Sequence, residues 1–348
     1  MRIEDEIKLT FDDVLIRPKR STLISRSEVH LERSFKFKHT ESVWNGVPIV
    51  SANMDTTGTF ETAISLQKHK MITAIHKFYT IDDWKKNISE LDPNYIAVTV
   101  GQSDDDLELA KNIFKLNNEI KFLCIDVANG YREDFINAVK KYRDTFNEKI
   151  IIAGNVATRE MTEALILAGA DIVKIGIGPG SVCTTRSVAG VGYPQISSIS
   201  ECSDAAHGLG GNVMADGGCK FPGDVSKAFG AGADFVMLGG MFAGHEESGG
   251  ELVSDDDGVM YKDFYGMSST KAQQTYYGDL AEHRAPEGKK VRLKYKGPID
   301  TTIQSILGGV RSACSYVGAK NIKDLPKCTT FIRVTQTTNE IFTTFANH

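Results

Sequence analysis

Apolar and β-branched residues recur along this chain in short runs, each cut off by a polar residue or a glycine. Eight such runs stand out: VPIVSANM from Val47, MITAIHK from Met71, YIAVTVG from Tyr95, KFLCIDVANG from Lys121, KIIIAGNV from Lys149, DIVKIGIGPG from Asp171, NVMADGG from Asn212 and DFVMLGG from Asp234. Their starts lie 24, 24, 26, 28, 22, 41 and 22 residues apart. Most intervals hold one segment of helical period, such as TFETAISLQKHK from Thr59 or YREDFINAVKKYRDTF from Tyr131. Strands this apolar, each followed by a helix, predict a parallel sheet covered on both faces. Eight such units at this pitch predict an α/β fold, a (β/α)8 TIM barrel, in preference to an open doubly wound sheet. The open sheet would call for GxGxxG after an early strand, and none is there.

Two departures from the pitch carry information. The 41-residue interval after the sixth strand leaves a long glycine-rich loop, which contains Cys183, before a helix near Ser197. After the eighth strand, residues from about 245 to 296 are polar and mixed in charge. They hold too few apolar residues for a core of their own, and so predict an inserted flap rather than a second domain. A helix from Ile299 then closes the barrel, and a tail from about Leu325 is left unassigned. Residues 1–348 thus read as a single catalytic domain.

Composition narrows the function classes. Hydrophobic residues make up 41% of the chain, ample for a core of this size. Forty basic against forty-five acidic residues leave a net charge of −5, which excludes a sequence-independent grip on nucleic acid. No apolar run approaches the roughly 18 residues of a membrane span, and the first residues lack the apolar core of a secretory signal. The six cysteines are scattered, with no ligand or disulfide spacing. These features predict a soluble, cytoplasmic, enzyme-sized protein.

A barrel of this type carries its chemistry at the C-terminal strand ends. Here those ends are Asn53, Met54 and Asp55; His76 and Lys77; 126–130; Gly154 and Asn155; 176–186; 216–218; and Gly239 with Gly240. Taken singly, Asn53 and Asn155 read as ordinary strand-ending turn residues. Cys183 differs, because its loop lacks apolar packing partners and opens at the barrel mouth. A thiol of pKa about 8.5 reacts as thiolate and gains from a nearby cation such as Arg186. Cys183 is therefore the candidate nucleophile, whereas Cys124, Cys202, Cys219, Cys314 and Cys328 read as buried structural residues. Glycines at 217, 218, 239 and 240 end the strands where barrels bind phosphate, and Asp216 beside them suits a ribose hydroxyl. The pair fits a nucleotide. Glu287, between Pro286 and Gly288, is either a proton-transfer group or a solvated loop residue.

Several of these segments recur in one known group of proteins. GPGSVCTTR at 178–186, DGG at 216–218, MLGG at 237–240, YGMSS at 265–269, EGK at 287–289, GGVRSACSYVGA at 308–319 and FDDVLIRPKRSTL at 11–23 resemble the IMP dehydrogenase/GMP reductase family. The likeness runs over almost the whole chain. It favours the reductase branch: the stretch between Lys77 and Tyr95 leaves no room for an inserted pair of CBS modules, 271–283 has Tyr276 and Tyr277 but no arginine for an Arg-Tyr pair, and AGHEESGGE at 243–251 and IDVANGY at 125–131 look like the reductase form.

The resemblance implies NADPH-dependent reductive deamination of GMP to IMP and ammonia through a thioimidate on Cys183, with Thr185 and Glu287 relaying a proton to the leaving amine. It places GMP on Ser181, Asp216, Gly217, Gly218, Gly239, Gly240, Gly266, Met267, Ser268, Arg284, Ala285, Pro286 and Gly288. It places NADPH on Lys77, Asp126, Val127, Ala128, Ser312, Ala313, Cys314 and Ser315, with Ser25 and Arg26 reaching in from a neighbouring subunit of a homotetramer. Carbonyls of Gly178, Gly180 and Cys183, with Arg186 adjacent, resemble the family's monovalent-cation (K+) site. Two other readings stay open: a dehydrogenase without CBS modules that oxidises IMP with NAD+, and a non-catalytic nucleotide-binding barrel whose cysteine senses redox state.

Overall fold

The computed structural model describes residues 1–278 and 285–335. Eight parallel strands close into a barrel in chain order: Ile49–Ser51, Ile72–Ile75, Ile96–Val100, Phe122–Asp126, Ile150–Val156, Ile172–Ile175, Asn212–Asp216 and Phe235–Leu238. All eight fall within the apolar runs picked out above. Closure is completed by the eighth strand pairing with the first, Val236 opposite Ile49.

The alternation along each strand sorts side chains between two cores. Phe122, Cys124, Ile150, Ile152, Ile172, Met214, Phe235 and Met237 fill the barrel interior. The intervening positions, among them Leu123, Ile151, Val173 and Val213, pack outward against the helices. Helix Asp104–Leu116 shows how a helix meets them, burying Leu107, Ala110, Ile113 and Phe114 on one face. It starts where Ser103 and Asp106 cap each other's backbone amides, as Thr80 and Asp83 do for helix Ile81–Asn87. The N-terminal mouth is plugged by a hairpin of Arg33–Lys36 and Val43–Gly46, whose Phe35 and Trp44 rings stand 4.4 and 5.6 Å from Phe235. Among the described residues, this leaves the C-terminal mouth as the open end of the barrel.

The flap is more ordered than its polar composition suggests. Strands Leu252–Ser254, Met260–Tyr265 and Lys290–Lys294 form an antiparallel sheet, with helix Thr270–Tyr277 in the connection. Phe264, Val291 and Leu293 pack it against Met54, Val182 and Ala243 of the barrel, and the Tyr276 ring stacks on Phe78. The tail is placed as well: Phe331–Arg333 pairs with Val14–Ile16 near the N-terminus. The final long helix, Asp300–Val317, packs against helix Pro222–Gly230. Among the described residues, no helix is long and apolar enough to cross a membrane.

Candidate active site

The loop after the sixth strand and the end of the flap meet over the mouth. Cys183 forms an antiparallel bridge with Gly288, flanked by Thr184 N–H donating to Glu287 O at 3.0 Å and Lys289 N–H donating to Val182 O at 2.9 Å. Ser268 O in turn accepts from Glu287 N–H at 3.1 Å. This clasp joins side chains about a hundred residues apart in the sequence. Thr185 Oγ1 lies 3.2 Å from Cys183 Sγ and donates to Glu287 Oε2 at 2.7 Å. A thiol, a hydroxyl and a carboxyl form one continuous path along which a proton can pass. Glu287 is half-buried in that path, not a solvated loop residue.

Two connected hollows open beside the thiol. One is lined by Asn53, Asp126, Val127, Ala128, Cys183, Thr185, Met267, Ser268 and Glu287. The other is lined by Ser181, Gly217, Gly218, Gly239 and Gly240, with Ala52, Met54, Gly180, Val182 and Asp216 shared between the two. Gly217 and Gly218, which line this second hollow, take φ of 86° and 91°, a left-handed path that other residues adopt at a cost. Of the residues expected to hold GMP, Gly266 and Gly288 sit in the clasp, and Ala285 and Pro286 lie exposed before it. Arg284 lies outside the described residues.

Beneath both hollows is a buried ionic cluster that the sequence reading missed. Lys174, its side chain 3% exposed, places Nζ 2.7 Å from Asp126 Oδ1 and 2.8 Å from Asp216 Oδ2. Asn155 Nδ2 donates to the same Asp216 oxygen at 2.9 Å. Asn155 is thus a polar member of the site rather than only a turn residue. Burial opposes charge on Lys174, but the two carboxylates outweigh it and hold the ammonium well above its usual range. Burial likewise opposes ionisation of Asp126, and Lys174, aided by Lys77 and Asn53, overcomes it and lowers the carboxyl. The available signal was a lysine of interior parity in an otherwise apolar strand: Lys174 is two residues beyond Ile172, which faces the barrel interior.

Other expectations need correction. Arg186 turns its guanidinium to Tyr193 O at 2.7 Å and packs beside Gly178 and Gly192, so it is engaged away from the thiol. A guanidinium has no lone pair for a cation, and its side chain therefore cannot be a metal ligand. Cys219 and Cys328 are half-buried rather than buried, and Cys219 lines the glycine hollow. Burial raises Cys124 and Cys314 to about 12 and Cys202 to about 11, which keeps those thiols protonated at neutral pH.

The cofactor residues divide into two places. Asp126, Val127 and Ala128 line the cysteine hollow and Lys77 stands near Asp126. Ser312, Ala313 and Ser315 belong to the final helix, on the outside of the barrel, where Ser312 and Ala313 face Gly223 and Lys227. That helix also packs against the turn Arg26–Glu28. Ser312 and Ala313 therefore line an outer hollow instead of the mouth, on a helix that also touches the Arg26–Glu28 turn, while Cys314 is buried and offers no thiol to a ligand.

Comparison with known proteins adds to this geometry. Residues 8–341 match the model for the IMP dehydrogenase / GMP reductase domain. The chain is 56% identical to a GMP reductase of Aeromonas hydrophila over 345 residues, covering 98% of this chain and 99% of that protein. It is 57% identical, with the same coverage, to proteins of that name from Shigella boydii and Photobacterium profundum.

Proposed function

The chain belongs to the IMP dehydrogenase/GMP reductase family, and from that membership we propose that it converts GMP to IMP and ammonia at the expense of NADPH. The observation that carries this reading is the path from Cys183 through Thr185 to Glu287. The Cys183 thiolate adds to C2 of the guanine, so that the exocyclic amine leaves from a tetrahedral carbon. An amine departs poorly unless protonated, and Thr185, hydrogen-bonded to Glu287, stands where it can pass the proton. Loss of ammonia leaves a cationic thioimidate on sulfur. The nicotinamide, when bound, supplies the hydride that reduces C2. Breaking the C–S bond then releases IMP and restores the thiolate. The covalent bond divides one difficult substitution into addition, elimination and reduction.

The glycine hollow suits the phosphate and ribose of GMP, with amides of Gly217 and Gly218 for the anion and Asp216 for a hydroxyl. The cysteine hollow, bounded by Asp126, Val127 and Ala128, suits the nicotinamide end of NADPH. The far end of the dinucleotide would be met by Ser312, Ala313 and Ser315, with Ser25 and Arg26 of a neighbouring copy in a homotetramer. Carbonyl oxygens of Gly178, Gly180 and Cys183 suit K+, a hard cation that takes oxygen donors. Gly180 O already accepts from Cys183 N–H at 3.1 Å, which fixes the turn that would present them. We place the reaction in the cytoplasm.

The test is an assay of NADPH oxidation in potassium buffer. Oxidation should begin only on addition of GMP and release one ammonia per NADPH consumed. NAD+ reduction on addition of IMP, without that signal, would assign the chain to the dehydrogenase branch.

A further inference from the structure

We infer that Lys174 is a positioning residue that holds the ribose-binding Asp216 and the cofactor-side Asp126 in their working orientations at once, so that both nucleotides depend on one ammonium. The inference deepens the reductase reading and rests on it. Its basis is geometric. In the barrel register Asp126 stands opposite Gly154, and Gly154 stands opposite Lys174. Lys174 therefore reaches across the fifth strand to Asp126 on the fourth, and to Asp216 on its own neighbour, the seventh. Gly154 permits the crossing: a Cβ there would stand 2.7 Å from Lys174 Cβ and 2.5 Å from Lys174 O.

Each carboxylate is held on one side and left available on the other. Asp216 gives Oδ2 to Lys174 and Asn155, and its backbone oxygen accepts from Gln195 Nε2 at 3.2 Å. Both aspartates retain partial exposure, 27% for Asp126 and 20% for Asp216, and both line the hollows. Without the ammonium, two carboxylates would face one buried space. They would repel one another, and each would have to turn outward or take up a proton. Other charged and titratable groups near the cluster are Lys77 on the Asp126 side, Cys124 on the fourth strand and Cys219 on the Asp216 side. None of these bridges the two aspartates. Lys174 borders the cysteine hollow with its side chain only 3% exposed and gives its ammonium to the two carboxylates, so it acts through them and not on the reacting atoms.

The test compares Lys174→Met with Lys174→Met/Asp126→Asn and Lys174→Met/Asp216→Asn, alongside wild type. The readouts are GMP affinity by calorimetry without cofactor, KM and kcat for both nucleotides, and the rate at which iodoacetamide alkylates Cys183. Loss of a charge-assisted pair should weaken both nucleotides on the order of ten- to a hundredfold, with alkylation of Cys183 unchanged. If Lys174→Met weakens only one nucleotide, or neither, the inference is overturned. Should the single variant fail to fold, the double variants remove one of the two opposed carboxylates and keep the question open to measurement. Lys174→Met/Asp126→Asn retains Asp216 but should still bind GMP weakly; wild-type affinity there would show that Asp216 needs no lysine and would also overturn it. Failure of the reductase reading would look different. The wild-type protein would then bind GMP without consuming NADPH, and the calorimetric comparison would still decide the role of Lys174 toward Asp216.

Discussion

Tyr276 donates its phenol to Asp55 Oδ2 at 2.7 Å, across 221 residues of sequence. Tyr265 donates to the same oxygen at 2.5 Å, and the Tyr276 ring stacks on Phe78 with centroids 3.6 Å apart. One buried carboxylate from the loop after the first strand thus fastens two parts of the flap to the mouth. The helix so fastened begins at Thr270, directly after Ser269, which bridges to Gly288 beside Glu287. Fixing this helix therefore fixes the approach of the Glu287 carboxyl to Thr185. Tyr276→Phe keeps the stacked ring and removes only the donor. A hydrogen bond to a charged group contributes about 1.5–3 kcal/mol, so the melting temperature should drop by about a few degrees and kcat/KM for GMP should fall about tenfold or more. A kcat/KM close to wild type would separate the fastening from turnover.

The path through Thr185 makes two further substitutions informative. Glu287→Gln preserves shape and the acceptor for Thr185 but removes the ionisable proton. Turnover should fall by about 10²- to 10⁴-fold, with GMP affinity little changed. Cys183→Ala should bind GMP and show no turnover. Steady-state assays together with direct GMP titration measure both, and a Glu287→Gln enzyme of wild-type rate would remove the proton path from the mechanism.

Why the sequence disclosed some of this and not the rest follows from the range of each signal. The eight strands were legible because period and apolar content are local properties, and each run from Val47 to Asp234 contains its strand. Cys183 was legible because its loop is polar and placed at a strand end. The flap sheet was not, because the pairing of Met260–Tyr265 with Lys290–Lys294 is a relation between strands, which composition does not record. Lys174 was hidden for a related reason. Its role lies in the barrel register, which sets it between Asp126 and Asp216, and register is a relation between strands. The contact between the Arg26–Glu28 turn and helix Asp300–Val317 is equally non-local, so the outer position of Ser312 and Ala313 was not legible.

Gly217 tests the glycine hollow against backbone strain alone. Its φ of 86° penalises any side chain, and a Cβ there would stand 3.2 Å from Gly180 N and Pro179 Cγ. Gly217→Ala should cost about 1–2 kcal/mol of stability and also weaken GMP, because the amide path of the hollow must shift. Gly210 is the control: its φ is 75°, and a Cβ there meets nothing within 4 Å. Gly210→Ala should lose similar stability with GMP affinity intact. Thermal melts with and without GMP separate the two effects, and equal GMP affinity in both variants would show that the hollow does not use the Gly217 backbone.

His76 sets a pH dependence whose sign can be worked out. Burial lowers its pKa to about 4, against the opposing pull of Asp83, and Phe78 N–H donates to its Nδ1 at 3.2 Å, which requires that nitrogen unprotonated. In the unfolded chain a histidine titrates near pH ~6.5. Between those values the unfolded state binds the extra proton, so stability is full above about pH 6.5 and falls as the solution is acidified toward pH 4. From pH 7 to pH 5 the loss from this one residue is about 2 kcal/mol. Urea unfolding of wild type and His76→Gln at the two pH values isolates it, because the other histidines contribute equally to both proteins. The variant should be less sensitive to acid by about that amount. Identical pH dependence in the two would mean that the His76 ring carries its proton inside the folded barrel mouth, with its hydrogen bond from Phe78 broken.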